Sequence, residues 1–167
     1  MVVKTIPIPE KLKNRPVYKG MAVPYIFIDQ GGDVIDFKGT DGIKVAECLW
    51  LKLCSLCGTK LDKEIAFLGG PISSVTLYYT FPPMHEECAE YAAKACPHLA
   101  KSKPYATDAK GLADFDPAHS TEPLDEAHMI IATNWHSKPK VAQGAMRAVG
   151  FIRRRVFKDG QEQGQML

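Results

Sequence analysis

The pattern of hydrophobic and polar positions predicts a hairpin and a helix early in the chain. Two β-branched and aromatic runs, Val23–Asp29 and Val34–Phe37, flank a Gly-Gly turn, which is typical of a β-hairpin. Thr40 or Asp41 can cap the helix that follows, and we expect this helix to run to about Leu53. The apolar residues near helical spacing in this segment are Ile43, Ala46, Trp50 and Leu53.

The middle of the chain predicts a second hairpin and a second helix. Ile65–Leu68 and Val75–Tyr79 have the composition of strands, and Gly69-Gly70-Pro71 between them is typical of a turn. From Met84 onward the apolar positions recur near one helical face, until Pro97 ends the pattern.

Two further strands are expected near the C terminus. Met129–Thr133 is a β-branched run that ends at Asn134-Trp135-His136, and Val149–Phe157 forms the second strand. Alternation along the second strand places four side chains on one face, namely Phe151, Arg153, Arg155 and Phe157. This mixture of arginine and phenylalanine is more typical of an edge or a binding surface than of a buried strand.

Four potential metal ligands occur as two pairs with the same spacing. Cys54 and Cys57 form a Cys-x-x-Cys-Gly knuckle, and His85 and Cys88 stand at the start of the second predicted helix. Because His85 and Cys88 are three positions apart, both lie on one face of the first helical turn. Thiolate and imidazole donors in this number suit a tetrahedral Zn2+. We therefore expect one structural zinc ion, in the order knuckle, hairpin and helix of a treble-clef module.

Other roles for the cysteines are less favoured. A thioredoxin-like redox site follows a strand and opens a helix, whereas here Gly58 is followed by Lys60 and a predicted hairpin. A catalytic zinc is disfavoured because ligand sets with two or more thiolates normally close the site. Cys48 and Cys96 are expected in the core, and Cys96 with His98 supplies too few ligands for a second tetrahedral site.

Together these elements predict an α+β fold, a small zinc-stabilised domain with a treble-clef-like knuckle, β-hairpin and helix. An N-terminal hairpin and helix precede this module, and C-terminal strands follow it. We expect residues 1–99 to form the zinc-binding core with an extended, proline-containing N-terminal arm, and residues 100–126 to form a loop or linker. Residues 127–158 are expected as a basic, β-rich segment packed on the core, and residues 159–167 as a flexible tail.

The composition is that of a globular protein. The chain has 167 residues, of which 46% are hydrophobic and 24% are charged, so a core of this size can be stable without disulfides. Five cysteines, an odd number, agree with reduced thiols. The sequence shows no signal-peptide pattern, and no apolar run is long enough to span a bilayer. We therefore expect a cytoplasmic protein with no membrane partner.

The formal net charge of +2 hides an uneven distribution of charge. Between Ala127 and Lys158 there are seven basic residues and no acidic one. Such a segment can present a basic face to nucleic acid, with Trp135 as a stacking surface. The alternative is a solvated surface that acidic segments neutralise in three dimensions. The candidate residues for binding nucleic acid or a protein partner are Trp135, Lys138, Lys140, Arg147, Arg153, Arg154 and Arg155.

Three stretches of the chain carry a resemblance to a known family. They are AVPYIF at residues 22–27, LCSLCG at 53–58 with AFLGGP at 66–71, and PPMHEECAEYAAKACP at 82–97. They resemble an uncharacterised family of small bacterial and phage proteins with a VPWF strand, a CWVCG knuckle, a GPMC turn and an HRxCAxYAAxACPFL helix. The resemblance covers roughly residues 6–99 and implies a treble-clef-like zinc site on Cys54, Cys57, His85 and Cys88, with no established activity.

The chain departs from that family at two places. Pro71-Ile72-Ser73 stands where the family has a cysteine after its Gly-Pro, so the missing cysteine is not an essential ligand. His98 stands in place of a phenylalanine, and its role is left open.

Three classes of function follow from these features. The first is a non-enzymatic zinc-binding protein in which zinc is structural and the basic C-terminal surface binds nucleic acid. The second is a protein-interaction module, a host-directed factor if the chain is phage-encoded, with the same aromatic and arginine side chains as hot spots. The third and least favoured is a metal-dependent nuclease of the His-Asn-His kind, because residues 65–71 contain no histidine as general base and His85 is already assigned to zinc. The sequence leaves the oligomeric state open.

Overall fold

A computed structural model describes residues 6–29, 35–95, 126–137 and 146–166. The strands, in chain order, are β1 (Val17–Tyr18), β2 (Met21–Ala22), β3 (Phe27–Asp29), β4 (Ile35–Thr40), β5 (Ile65–Gly69), β6 (Tyr78–Tyr79), β7 (Ala127–Ala132), β8 (Asn134–Ser137), β9 (Met146–Val149), β10 (Arg153–Lys158) and β11 (Gln161–Met166). The helices are α1 (Gly42–Leu51), α2 (Pro71–Thr76) and α3 (Glu86–Ala95), and Glu10–Leu12 forms a 3-10 turn. The mixed α+β class is confirmed, whereas the predicted linker lies outside the described residues except for Glu126.

A four-stranded antiparallel sheet, in the order β11-β10-β7-β5, forms the centre of the fold. Every residue of β7 is buried, because an interior strand that is covered on both faces has no polar side. The register places Phe67 of β5 and Arg154 of β10 opposite Ile130 of β7. Successive side chains alternate between the two faces, so each face has an apolar cluster of its own.

The two faces of this sheet pack against different elements. On one face, Met129 and Phe157 join an apolar cluster that also contains Cys88 of α3. On the other face, Phe67 stacks on Tyr79 with ring centroids 5.0 Å apart. A three-stranded sheet in the order β6-β9-β8 supplies Tyr79 and lies on this second side. The knuckle and α3 therefore share one side of the central sheet.

The predicted hairpin within residues 65–79 is wrong. β5 pairs with β7 and β6 pairs with β9, and the residues between β5 and β6 form α2. Gly70 is the N-cap of α2 and Pro71 is its first residue, a position where the fixed φ of proline suits a helix and its missing N–H costs nothing. Leu77 ends the helix in the left-handed conformation, with φ 63°. The strand propensity of Val75 is therefore weaker than the local helix-start signal.

The N-terminal hairpin and the first helix are confirmed. β3 pairs antiparallel with β4. The Asp41 side chain caps α1 by accepting hydrogen bonds from the backbone N–H of Ile43 at 2.9 Å and of Lys44 at 3.4 Å. The expected apolar face of α1 instead points to solvent, with Ile43 74% and Trp50 87% exposed, while Cys48 is fully buried as predicted. Helical spacing identified the apolar face of α1 but could not show whether another element of the fold covers it.

The N-terminal arm is folded onto the protein in its described part. Residues 10–12 form a 3-10 turn, and β1 and β2 form a short antiparallel pair. Leu12 is buried in the apolar cluster beneath α3. The backbone N–H of Ala22 donates to the Tyr91 hydroxyl of α3 at 3.0 Å. The arm is therefore anchored rather than freely extended.

The C-terminal segment divides into more strands than predicted. Gly150, with φ 73°, separates β9 from β10 within the strand expected over residues 149–157. A Cβ at this position would lie 2.1 Å from Oγ1 of Thr133, so only glycine fits the turn. Asn134, Trp135 and His136, which were expected to end the strand at residues 129–133, instead belong to a further strand, β8.

The tail and the last predicted strand also differ from expectation. Residues 161–166, expected to be flexible, form β11 and pair with β10. This pairing makes β10 an interior strand, so its interpretation as an edge strand is wrong. Phe157 is fully buried and Arg155 is only 6% exposed, because α3 covers that face.

Candidate metal centre

The loop that follows α1 is shaped by its own backbone hydrogen bonds. The N–H of Cys54 donates to the Thr59 carbonyl oxygen at 2.8 Å, and the N–H of Gly58 donates to the Cys54 carbonyl oxygen at 2.8 Å. Gly58 has φ 77°, and a Cβ there would lie 2.8 Å from the Tyr25 ring, so glycine is required. The tight turn buries the side chains of Cys54 and Cys57.

The second pair of ligands lies at the start of α3. Paired backbone hydrogen bonds of 2.8 Å and 2.9 Å tie Met84 to Ala66 of β5 and so fix where α3 begins. The backbone N–H of His85 donates to the Cys54 sulfur at 3.4 Å. Cys88 lies on the same face one turn later and is fully buried. The central sheet therefore positions the helix start directly against the knuckle.

The four predicted ligands converge on one point. Their donor atoms all lie within 4.8 Å of one another. Nδ1 of His85 is 3.4 Å from Sγ of Cys57 and 4.0 Å from Sγ of Cys88. A tetrahedral ion with bonds of about 2.3 Å to sulfur and about 2.0 Å to nitrogen would separate such atoms by about 3.5 Å. Cys54, Cys57, His85 and Cys88 can therefore bind a metal ion.

A backbone carbonyl sets the orientation of the His85 ring. Nε2 of His85 lies 2.8 Å from the Lys60 carbonyl oxygen. A carbonyl oxygen can only accept, so Nε2 carries the proton and donates, which leaves the lone pair of Nδ1 directed at the thiols. Such hydrogen bonds from the outer ring nitrogen orient metal-ligating histidines in general. The Nδ1 atom is therefore the ring nitrogen that would bind a metal ion.

The cluster is electrostatically prepared for a cation. The neighbouring thiols of Cys54 and Cys88 hold the pKa of Cys57 below its usual range, because they donate hydrogen bonds to its thiolate. Hydrogen bonds with Cys54 and then Cys57 raise the pKa of Cys88, which keeps its proton as a donor. Hydrogen bonds with Cys54 and then Cys57 raise the pKa of His85 to about 10, because a ring nitrogen that donates to sulfur is held in its protonated form. A divalent ion would replace these protons.

The centre is closed, although one ligand borders a cleft. All four ligand side chains are buried. A cleft of about 770 Å³ opens beside the His85 ring. The residues that line the cleft are Asp62, Lys63, Glu64, His85, Glu86, Glu87, Glu90 and Arg155. The arrangement can hold an ion, and thiolate-rich sets of four protein ligands leave no position for a substrate.

The candidate partner-binding residues do not form one basic surface in the described part of the chain. Lys138 and Lys140 lie outside the described residues. Arg147 is exposed on β9, and Trp135 of β8 is half-buried with the Lys52 ammonium group 5.9 Å from its ring centroid. Arg147 and Trp135 are therefore accessible at least in part.

The three consecutive arginines of β10 are divided between the two faces of the sheet. Arg154 lies on one face, opposite Ile130 in the register. Arg153 lies on the other face and donates to the carboxylates of Glu64, at 3.2 Å, and Glu86. Alternation along the strand makes a single cluster of all three guanidinium groups impossible.

Arg155 contacts three carboxylates, one more than Arg153. Its Nε and Nη2 atoms donate to the two carboxylate oxygens of Glu162 at 2.8 and 2.9 Å. Its Nη1 donates to Glu86 at 3.1 Å, and Glu90 lies 3.2 Å from Nη2. Carboxylates therefore neutralise Arg153 and Arg155, which agrees with part of the alternative considered from the sequence. Arg155 is buried, however, and does not lie on the solvated surface that this alternative expected.

Sequence reasoning missed the groups that support the ligands. The carbonyl of Lys60 has no sequence signal, because any residue supplies one. Glu86 had a signal, since it stands between two ligands in the first turn of a helix, but its arginine partners are far away in sequence. Cys96 and His98 lie outside the described residues.

Comparison of the chain with protein-family models, with curated proteins and with solved structures finds no match in any of the three. Among the described residues, no helix combines the length and the apolar character needed to cross a membrane.

Proposed function

We propose that this chain is a zinc-binding protein in which one Zn2+ on Cys54, Cys57, His85 and Cys88 is structural. The observation that carries the proposal is the convergence of three buried thiols and one buried imidazole within 4.8 Å. Thiolate and imidazole donors favour zinc over Mg2+ or Ca2+, which prefer oxygen. Four protein donors fill a tetrahedral ion, which supports a structural role and a non-enzymatic protein.

When bound, the ion would contribute on the order of 10 kcal/mol to folding by joining the knuckle to the start of α3. Hydrogen bonds of the knuckle extend this connection. The N–H of Ser55 donates to the Pro83 carbonyl at 3.2 Å, and its hydroxyl donates to the Pro82 carbonyl at 3.0 Å. The N–H of Tyr25 donates to the Leu56 carbonyl at 2.9 Å. One centre would therefore hold the N-terminal segment, the knuckle and α3 together.

A knuckle and a helix start that supply two ligands each support a treble-clef-like module, in which β5, α2 and β6 replace the usual hairpin. The family resemblance stays a prediction. Nucleic-acid binding by the arginines of β10 is not part of the proposal, because carboxylates already engage Arg153 and Arg155. No observation favours the host-directed factor or the nuclease.

Elemental analysis of the purified chain after reconstitution with zinc tests the proposal. We expect one zinc per chain, and Co2+ in its place should give the intense thiolate-to-metal absorption of a multi-cysteine site. Cys57→Ser should lose the metal and unfold. Cys48→Ala is the matched control, because it removes a buried thiol outside the cluster. A metal content well below one per native chain would reject the proposal.

A further inference from the structure

The exposed side of α1 is apolar, which is the reverse of the usual arrangement of a surface helix. The exposed residues of α1 are Gly42, Ile43, Ala46, Trp50 and Leu51, and none of them has a polar side chain. Ile43 is 74% exposed and Trp50 is 87% exposed. Gly42, Ile43, Ala46 and Trp50 lie within an arc of about 100° on the helix surface. These four residues form one apolar surface, here called the α1 stripe.

The two charged residues of α1 lie beside the stripe, where Tyr25 engages both of them. Nζ of Lys44 is 5.3 Å from the centroid of the Tyr25 ring. The Tyr25 hydroxyl donates to Oε2 of Glu47 at 2.6 Å. Lys44 and Glu47 are therefore half-buried, whereas the apolar residues of the same helix face water. An exposed apolar surface of this kind marks a site of protein interaction.

The two ends of α1 carry opposite charges. Asp41 caps the N-terminal end, and Lys52 follows the C-terminal end. Nζ of Lys60 adds a second positive charge there, 3.3 Å from the Leu51 carbonyl oxygen. The contact of Lys52 with the Trp135 ring is a weak one that this flexible side chain can exchange. An antiparallel copy of α1 would therefore bring opposite charges and opposite ends of the helix dipoles together, whereas a parallel copy would bring like ends together.

The spacing of the stripe makes it complementary to itself, as a twofold-symmetric interface requires. A twofold axis midway between Ala46 and Glu47 places Ile43 of each chain opposite Trp50 of the other. The same axis places Asp41 of each chain opposite Lys52 of the other. Because Ala46 is small, the two helices can approach closely at the centre. One register therefore satisfies the apolar contacts and the charged contacts at the same time.

We propose that this chain forms a weak homodimer through the α1 stripe, with the two copies of α1 packed antiparallel. The inference goes beyond the proposed zinc site, because no metal ligand belongs to the stripe. Trp50 would bury about 150–250 Å² and is of the residue type that dominates binding energy at interfaces. Two stripes bury on the order of 1,000 Å² in total, the size of small, transient interfaces. We expect a Kd on the order of 10 µM.

Sedimentation of the zinc-loaded, full-length chain tests the dimer, with the thiols kept reduced and the concentration varied over about 1–300 µM. Ile43→Glu and Trp50→Lys should each raise the Kd at least about tenfold. Both positions are exposed, and an acid in the first turn and a base in the last turn suit the helix dipole, so both variants should fold. Val75→Ser is the matched control, because Val75 is 78% exposed on α2, outside the stripe, and should leave the Kd unchanged.

An equal mixture of the two α1 variants tests the orientation of the helices. In the antiparallel dimer, the new glutamate of one chain faces the new lysine of the other, while the second contact keeps its native Trp50 and Ile43. The mixture should therefore associate at least about tenfold more tightly than either variant alone. A parallel pair would match neither contact and would show no recovery.

Three results would overturn the proposal. They are a native chain that stays monomeric over the whole range, an equal weakening by Val75→Ser, and a mixture that associates no better than its components. A monomeric native chain would assign the stripe to a partner other than a second copy. The metal content of the chain would be unchanged in each case, so the dimer can fail while the zinc site stands.

Discussion

Replacing Arg155 by methionine tests whether the buried arginine of β10 serves the fold. The Arg155 residue is 6% exposed, and its guanidinium group contacts the carboxylates of Glu86, Glu90 and Glu162. Methionine keeps much of the apolar stem but removes the charge, together with the guanidinium carbon that lies 5.2 Å from the Phe157 ring centroid. The substitution would therefore leave three acidic side chains close together without their common cation.

The expected loss of stability depends on how far each partner of the ion pairs is buried. Removing one member of a fully buried ion pair costs about 3–5 kcal/mol. Here the side chains of Glu86, Glu90 and Glu162 are 30%, 33% and 30% exposed, so they regain part of their hydration. We therefore expect Arg155→Met to lower the free energy of unfolding by about 2–3 kcal/mol. For a chain of this size, that corresponds to a fall in Tm of about 4–12 °C.

Thermal and urea denaturation of the zinc-loaded chain measure this loss. Arg153→Met is the matched control, because it lies on the same strand and shares Glu86 but has a side chain that is 24% exposed. It should cost no more than about 1 kcal/mol. The argument from burial would be refuted if Arg155→Met were as stable as the native chain, or if both variants lost the same free energy of unfolding. Either result would favour a binding role for Arg155.

Two further predictions concern a turn and a carboxylate. Gly150→Ala should lower the free energy of unfolding by more than about 1 kcal/mol in urea denaturation, because φ is 73° and the new Cβ would lie 2.1 Å from Thr133 Oγ1. Gly42→Ala is the control and should not destabilise the protein, because no atom lies within 4 Å of its new Cβ. Hydrogen bonding to Lys94 lowers the pKa of Glu90 from 4.5, so Glu90 stabilises the fold fully above that value and loses this contribution as pH falls through the lower, folded pKa. Glu90→Gln should therefore reduce the loss of stability that native protein shows below pH 4.5, and an unchanged pH profile would contradict the assignment.

Local signals explain what could be predicted from the sequence. Asp41 caps α1 through hydrogen bonds to the next residues, so the cap needs no information from the rest of the chain. The Cys54 and Cys57 pair is brought together by a five-residue turn, and the His85 and Cys88 pair by one turn of helix. The two pairs were joined in the prediction because they have the same spacing and because thiolate and imidazole donors both suit zinc. The geometry confirms that the two pairs converge.

Long-range pairing explains what could not be predicted. β5 and β7 are neighbours in the sheet although about sixty residues separate them, and no local pattern specifies such a partner. The burial of Arg155 depends on Glu86, which is 69 residues away in sequence. The exposure of Trp50 on α1 likewise depends on which elements happen to cover the helix. In each case the residue type was visible, but the neighbour that decides its role was not.

The first turn of α3 is held from two sides, and this links the metal centre to the arginines of β10. His85 and Cys88 face the knuckle, whereas Glu86, between them in sequence, turns to Arg153 and Arg155 on the central sheet. Side chains one position apart on a helix diverge by about 100°, so neighbouring residues of one turn can serve both contacts without competing. A helix fixed by β10 presents its two ligands at a set distance from the knuckle. The ion pairs of Arg153 and Arg155 would therefore reduce the conformational entropy that is lost when the proposed zinc ion binds, which supports a structural role for these two arginines.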